Sequence, residues 1–186
     1  MQGTNPVNSL TFITNGGKAR SRGIEFSTNI APWTGMAIDA NFTYTDATLV
    51  EALSTSVASG LLGNAGDRLP FTAKYAANVS ARQSFPLSSD LEGSVGGIYT
   101  YVGDRLAAFN TNSPAATRPR ILIPNYSTVN LDAGISSESG RSLTLYTRKI
   151  FNKRGISVAQ NRNGVNVPTA LFIQPRTIGF TLAGSF

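Results

Sequence analysis

The chain has 186 residues, enough for one ordinary domain, and only 14% of them are charged, against roughly 25% in soluble globular proteins. It contains neither Cys nor His, which excludes a disulfide framework, a thiol nucleophile, a Ser-His-Asp triad and an ordinary zinc site. The net charge of +6 is the excess of 16 Lys and Arg over 10 Asp and Glu, and the basic residues are spread from Lys18 to Arg176 with no recognition helix or aromatic RNA-binding signature beside them, so nucleic acid is not an expected partner.

The first predicted strand, about 18–31, sets Ile24, Phe26 and Ile30 on one face against Glu25 and Asn29. Over 36–45 the alternation is cleaner, with Met36, Ile38, Ala40, Phe42 and Tyr44 opposite Ala37, Asp39, Asn41, Thr43 and Thr45. A helix would scatter those two sets around its circumference. The third strand, 71–85, places Phe71, Ala73, Tyr75, Ala77, Val79, Ala81 and Phe85 on its apolar face and Lys74, Asn78, Ser80 and Arg82 on the other. Four more follow at about 91–105, 125–137, 142–151 and 173–186, the last with Ile178, Phe180 and Leu182 at every second position.

Connection lengths alternate. Short turns fall at Ala31-Pro32-Trp33-Thr34-Gly35, at Pro86 to Asp90 and at Glu138-Ser139-Gly140-Arg141, and longer loops rich in Gly, Asn and Pro at about 50–70, 106–124 and 152–172. An up-and-down meander with short turns at one end and long loops at the other is the pattern of outer-membrane β-barrels. Strand length agrees, since a tilted strand needs about 9–11 residues to cross the hydrocarbon core, and such strands need no run of ~18 apolar residues. The expected fold is therefore all-β, an antiparallel up-and-down transmembrane barrel segment of about seven long strands occupying residues 1–186 as one domain. Trp33, Tyr44, Phe85, Tyr99, Tyr101 and Phe151 fall near strand ends, where interfacial aromatic girdles lie. The alternative is a soluble β-sandwich, a binding module or structural surface protein, in which the apolar faces pack on each other and the charges lie on solvated outer faces.

Several ordered segments resemble TonB-dependent outer-membrane receptors. Asn15-Gly16-Gly17-Lys18-Ala19-Arg20-Ser21-Arg22-Gly23-Ile24-Glu25 is similar to a stretch of that family leading into a barrel strand, with Gly16 where Ala is usual. Gly66-Asp67-Arg68-Leu69-Pro70-Phe71, Tyr101-Val102-Gly103-Asp104-Arg105 and Pro124-Asn125-Tyr126 follow in the family's order. Lys149-Ile150-Phe151-Asn152 resembles the usual Asn-Leu-Phe-Asp but departs from it at three positions, and Pro175 to Phe186 looks like the final barrel strand, although Gly184 stands where an apolar or aromatic residue is common.

The resemblance implies the C-terminal part of a barrel of about 22 strands, with the plug domain and TonB box belonging to an N-terminal part outside this sequence. It implies an outer-membrane location, uptake of a scarce nutrient such as a ferric siderophore, cobalamin or an oligosaccharide, no enzymatic activity and no cofactor. The expected partners are outer-membrane lipid, the barrel-assembly machinery, the TonB complex through the N-terminal part, and a small anionic or carbohydrate ligand. Ile178, Phe180, Leu182 and Phe186 are the expected assembly signal. Arg68, Arg105, Arg118, Arg120 and Arg162 lie in or beside the long loops, either facing an anionic ligand or as solvated loop charge. The triplet Gly16-Gly17-Lys18 is not a phosphate loop, since Phe12 replaces its first Gly and Ala19 its Ser or Thr.

Overall fold

A computed structural model describes residues 2–4, 11–13, 17–53, 63–107, 109, 121–161 and 168–184. Arg118, Arg120, Arg162, Phe186 and the Asn15-Gly16 start of the first motif lie outside these residues. The described residues contain no helix. Seven strands form one sheet: β1 (Ala19–Ile30), β2 (Met36–Leu49), β3 (Tyr75–Pro86), β4 (Leu91–Val102), β5 (Tyr126–Ser137), β6 (Ser142–Arg148) and β7 (Thr177–Ala183). Each of β2 to β6 pairs antiparallel with the sheet strands before and after it, and β1 and β7 are the edges, so the sheet is a pure meander from β1 to β7.

All three short turns lie at one end of this sheet. Gly35 and Gly140 adopt φ of 80° and 79°, a left-handed conformation open to a residue without Cβ, and they close the turns into β2 and β6. The turn at Glu138 is tied to its neighbour, Glu138 N donating to Asp90 O at 3.2 Å, and Ser84 N of β3 donates to Gly35 O of the first turn at 2.7 Å.

The side-chain alternation stays in phase across the sheet. Ile30, Ile38, Ala81, Gly97, Leu131, Thr147 and Ile178 are successive register partners from β1 to β7 and form one transverse row of the apolar face. That face is uncovered. Phe26, Phe42, Val95, Leu145, Ile178, Phe180 and Leu182 are all exposed, the last three at 72%, 65% and 70%. Buried hydrophobic residues among those described are confined to the long-loop end, where Ala47, Leu49, Leu53, Phe109, Ile123 and Ala159 lie. The architecture is therefore the open meander expected of a barrel segment, and among the described residues no second sheet packs on the apolar face as a sandwich requires.

Several boundaries differ from expectation: β4 ends at Val102 and not at 105, and β7 begins at Thr177 and not at 173. The third strand begins at Tyr75, because Phe71 takes φ of 59° and its amide donates to Leu106 O at 2.7 Å. β2 runs on to Leu49, and β6 stops at Arg148, ahead of a turn with Lys149 and Asn152 at φ of 53° and 50°. The long connections also contain structure of their own. Arg105–Leu106 pairs with Leu122–Ile123, and Ile156–Asn161 pairs with Pro168–Phe172 with a bulge; ahead of β1, Gln2–Thr4 pairs with Thr11–Ile13.

Candidate functional site

The polar face of the sheet is a hydrogen-bonded wall. Asn29 Nδ2 donates to Asp39 Oδ1 at 2.5 Å and Ser80 Oγ to the other oxygen of that carboxylate at 3.3 Å, joining β1, β2 and β3. One register step away, Ser27 Oγ donates to Asn41 Oδ1 at 2.8 Å and Asn78 Nδ2 to Thr100 Oγ1 at 2.9 Å. Arg82 on β3 reaches over Gly96 of β4 to Asp132 on β5 at 2.5 Å and also donates to Ser94 Oγ at 3.2 Å. Next in the same row, Tyr146 lies over Gly179, and Arg148 stacks on its ring with the guanidinium carbon 5.2 Å from the centroid. Strand alternation alone places these groups together, because every one of them has the opposite parity to its strand's apolar residues.

At the long-loop end, two of the expected arginines are brought to one hub. The guanidinium of Arg68, whose side chain is only 14% exposed, donates from Nη1 to Asp104 Oδ2 at 2.9 Å, from Nη2 to Asp104 O, and from Nε to Thr72 O at 2.9 Å. The adjacent Arg105 turns the other way. Its Nη2 and Nη1 donate to Ile156 O at 2.8 Å and Ser157 O at 3.1 Å, and its guanidinium lies 5.8 Å from the centroid of Tyr126. Gly155 approaches that ring so closely that an added Cβ would stand 2.6 Å from Tyr126 Cγ. Residues 104 and 105 thus join the β2–β3 loop on one side to the hairpin of the β6–β7 loop on the other. Leu49, Leu53, Phe109 and Leu69 close the first of these joints with an apolar cluster.

Asp104 was not singled out from the sequence, yet a signal was present. The tetrapeptide Gly-Asp-Arg-Leu occurs at 66–69 and again at 103–106, and the arginine of the first copy bonds the aspartate of the second.

Of the other expected residues, the described ones, Ile178, Phe180 and Leu182, lie apart from this hub. Ile178, Phe180 and Leu182 lie on the apolar face of β7, which has β6 as its paired neighbour among the described residues. The turn Lys149 to Asn152 is locked from both sides, Lys149 N donating to Asn130 Oδ1 at 2.9 Å and Arg176 N to Asn152 Oδ1 at 3.0 Å. Its fourth residue therefore positions the entry into β7.

Residues 1–152 match a family model described as TonB dependent receptor-like, beta-barrel. No curated protein sequence matches the chain. Among solved structures, it is similar to the siderophore receptor PiuA from Acinetobacter baumannii, with TM-score 0.65, 18% identity and coverage of 97% of this chain and 23% of that one. It is also similar to the ferric yersiniabactin uptake receptor FyuA from Yersinia pestis, with TM-score 0.68, 18% identity and coverage of 89% and 23%. The ferric preacinetobactin receptor BauA from Acinetobacter baumannii matches with TM-score 0.66, 22% identity and coverage of 98% and 24%. The chain thus spans about a quarter of the length of these receptors, and the likeness is one of fold.

Proposed function

The chain belongs to the TonB-dependent receptor-like β-barrel family, and from that premise we propose that residues 1–186 are the C-terminal part of the wall and external loops of an outer-membrane receptor that imports a scarce nutrient. The observation that carries this reading is the uncovered apolar face spanning all seven strands, backed by a hydrogen-bonded polar face. Apolar side chains at this exposure are unfavourable in water and favourable against lipid, and the polar face then lines an aqueous lumen. With β1 to β5 at 12 to 14 residues each, a tilted strand crosses the ~30 Å hydrocarbon core.

In this reading the short turns are periplasmic and the long loops extracellular. The sheet contributes wall, and the loops contribute to capture of a ligand in the class of ferric siderophores, a class suggested by what the similar structures are named for. Arg118, Arg120 and Arg162 are proposed to face that ligand. Arg68 and Arg105 act on capture chiefly by fixing the loops they join. Ile178, Phe180, Leu182 and Phe186 are proposed as the strand read by the assembly machinery, and energy reaches the barrel through the TonB complex acting on an N-terminal part. The proposed role is transport without catalysis.

The test is uptake of iron-labelled siderophores by cells with and without the gene encoding this chain, before and after collapse of the proton-motive force. Energy-dependent uptake that disappears with the gene is the expected result. A chain recovered as a monomer in buffer without detergent would overturn the membrane reading, and unchanged uptake would overturn the transport role. Unchanged uptake on replacing Arg118, Arg120 and Arg162 with Ala would remove those residues from the ligand site.

A further inference from the structure

On the apolar side of β1 the residues continue past Ile30, Phe26 and Ile24 to Arg22 and Arg20. The β1–β2 register runs unbroken from Ala19 to Ile30, so Arg20 and Arg22 project from the same face as Ile24 and Phe26. The backbone bond from Val50 N to Lys18 O extends the pairing one residue further and brings Lys18 into the same line. Three cations two residues apart therefore stand on the membrane side of the sheet, spaced about 6.6 Å from one another.

Their depth is set by neighbouring aromatics. Ile24 is the register partner of Tyr44, which is the partner of Tyr75, and the two tyrosine rings lie 5.3 Å apart with Phe42 beside them at 6.3 Å from Tyr75. Tyrosines on a lipid-facing surface mark the boundary of the hydrocarbon with the headgroups. Arg22 and Arg20 lie about 7 and 13 Å beyond that level along the strand, within the headgroup layer at the long-loop end. Arg22 has Asp46 at 3.7 Å and Lys18 has Glu51 at 3.0 Å, both exposed pairs of the kind that contributes little in water. Among the described residues Arg20 has no ion-pair partner, and its register partner is the neutral Thr48.

We propose that Arg20, with Arg22 and Lys18 beside it, binds the phosphate of an anionic lipid headgroup in the leaflet at the long-loop end. The inference rests on the membrane reading above. Arginine suits this role because its planar guanidinium donates two parallel hydrogen bonds to phosphate oxygens, and a site at the edge of the hydrocarbon strengthens them. The lipid tails would lie against Ile24 and Phe26 directly below, giving the site both a charged and an apolar contact.

The test uses the full receptor chain in uncharged detergent micelles, titrated with lipid A, with lipid A stripped of its phosphates, and with inorganic phosphate. The expected result is binding of the phosphorylated lipid alone, weakened about fivefold by Arg20→Gln and further by the Arg20→Gln/Arg22→Gln pair. Arg20→Lys, which keeps the charge but not the paired hydrogen bonds, should bind between the native chain and Arg20→Gln. Lys74→Gln, which removes a cation at the opposite parity to Tyr75, should leave it unchanged. Equal binding by Arg20→Gln, or by the dephosphorylated lipid, overturns the proposal. Competition by inorganic phosphate at equal concentration overturns the assignment to a lipid. A chain that needs no detergent would defeat the membrane reading first, so the two failures are distinguishable.

Discussion

Arg82 and Asp132, on strands that are not neighbours, meet at 2.5 Å across the backbone of Gly96. The strand between them is crossed at a residue without a Cβ. A Cβ there would stand 2.9 Å from Asp132 Oδ1 and 3.1 Å from an Arg82 terminal nitrogen. Asp132 is the more sheltered partner and Arg82 is half exposed, so the pair is worth about 0.5–1 kcal/mol. A double-mutant cycle of Arg82→Ala and Asp132→Ala, read by denaturant unfolding, should give that coupling, and Gly96→Leu should reduce it to near zero.

Breaking the hub at Arg105 should loosen the hairpin without unfolding the sheet. Arg105→Ala removes two charged hydrogen bonds to Ile156 O and Ser157 O, a loss of about 2 kcal/mol in local stability. The amide of Ile173, bonded to Gly155 O at 2.9 Å, is the reporter. Its hydrogen exchange should quicken about thirtyfold while amides in β3 and β4 stay protected.

Tyr146 and Gly179 should behave as one unit. An added Cβ at Gly179 would stand 2.5 Å from the Tyr146 hydroxyl oxygen, so Gly179→Ala displaces the ring and Tyr146→Ala leaves the glycine bare. Each change should destabilise β6–β7 pairing by about 1 kcal/mol, and the double variant by clearly less than the sum. Unfolding midpoints of the single and double variants decide it.

Adjacent residues on β2 offer a test of which face meets lipid. Phe42→Arg puts a charge on the apolar face one alternation step inside the Tyr44–Tyr75 boundary and should cost about 1–2 kcal/mol in folding into a bilayer. Thr43→Arg puts the same charge on the polar face opposite Glu25 and should be nearly neutral. Folding yields into vesicles that rank the two the other way would reverse the assignment of faces.

Much of this sheet was legible because period-two alternation survives intact wherever both neighbours of a strand are regular. Residues 36–44 and 75–85 carry it openly. The same pattern misled at Phe71 and Ala73, which continue the alternation in sequence while the backbone has already turned at φ of 59°. The hairpin Ile156–Asn161 with Pro168–Phe172 was read as loop, since a register shift between Ile156 and Val158 breaks its period and Pro168 opens its second strand. The roles of Arg68 and Arg105 were hidden for another reason. Most of their acceptors are backbone carbonyls of Thr72, Asp104, Ile156 and Ser157, and a carbonyl leaves no mark on the identity of the residue that owns it.

The seven-strand register carries no bulge from β1 to β7, and this makes the wall sensitive to length more than to wording. Substitution at one position alters one tile. Insertion of a single residue within β3 would turn every tile between it and the next turn over, sending Val79 or Ala81 toward water and Ser80 or Arg82 toward hydrocarbon. Related chains can therefore drift far in letters while their strands keep step, whereas the long loops are free to gain and lose residues without disturbing the pattern beneath them.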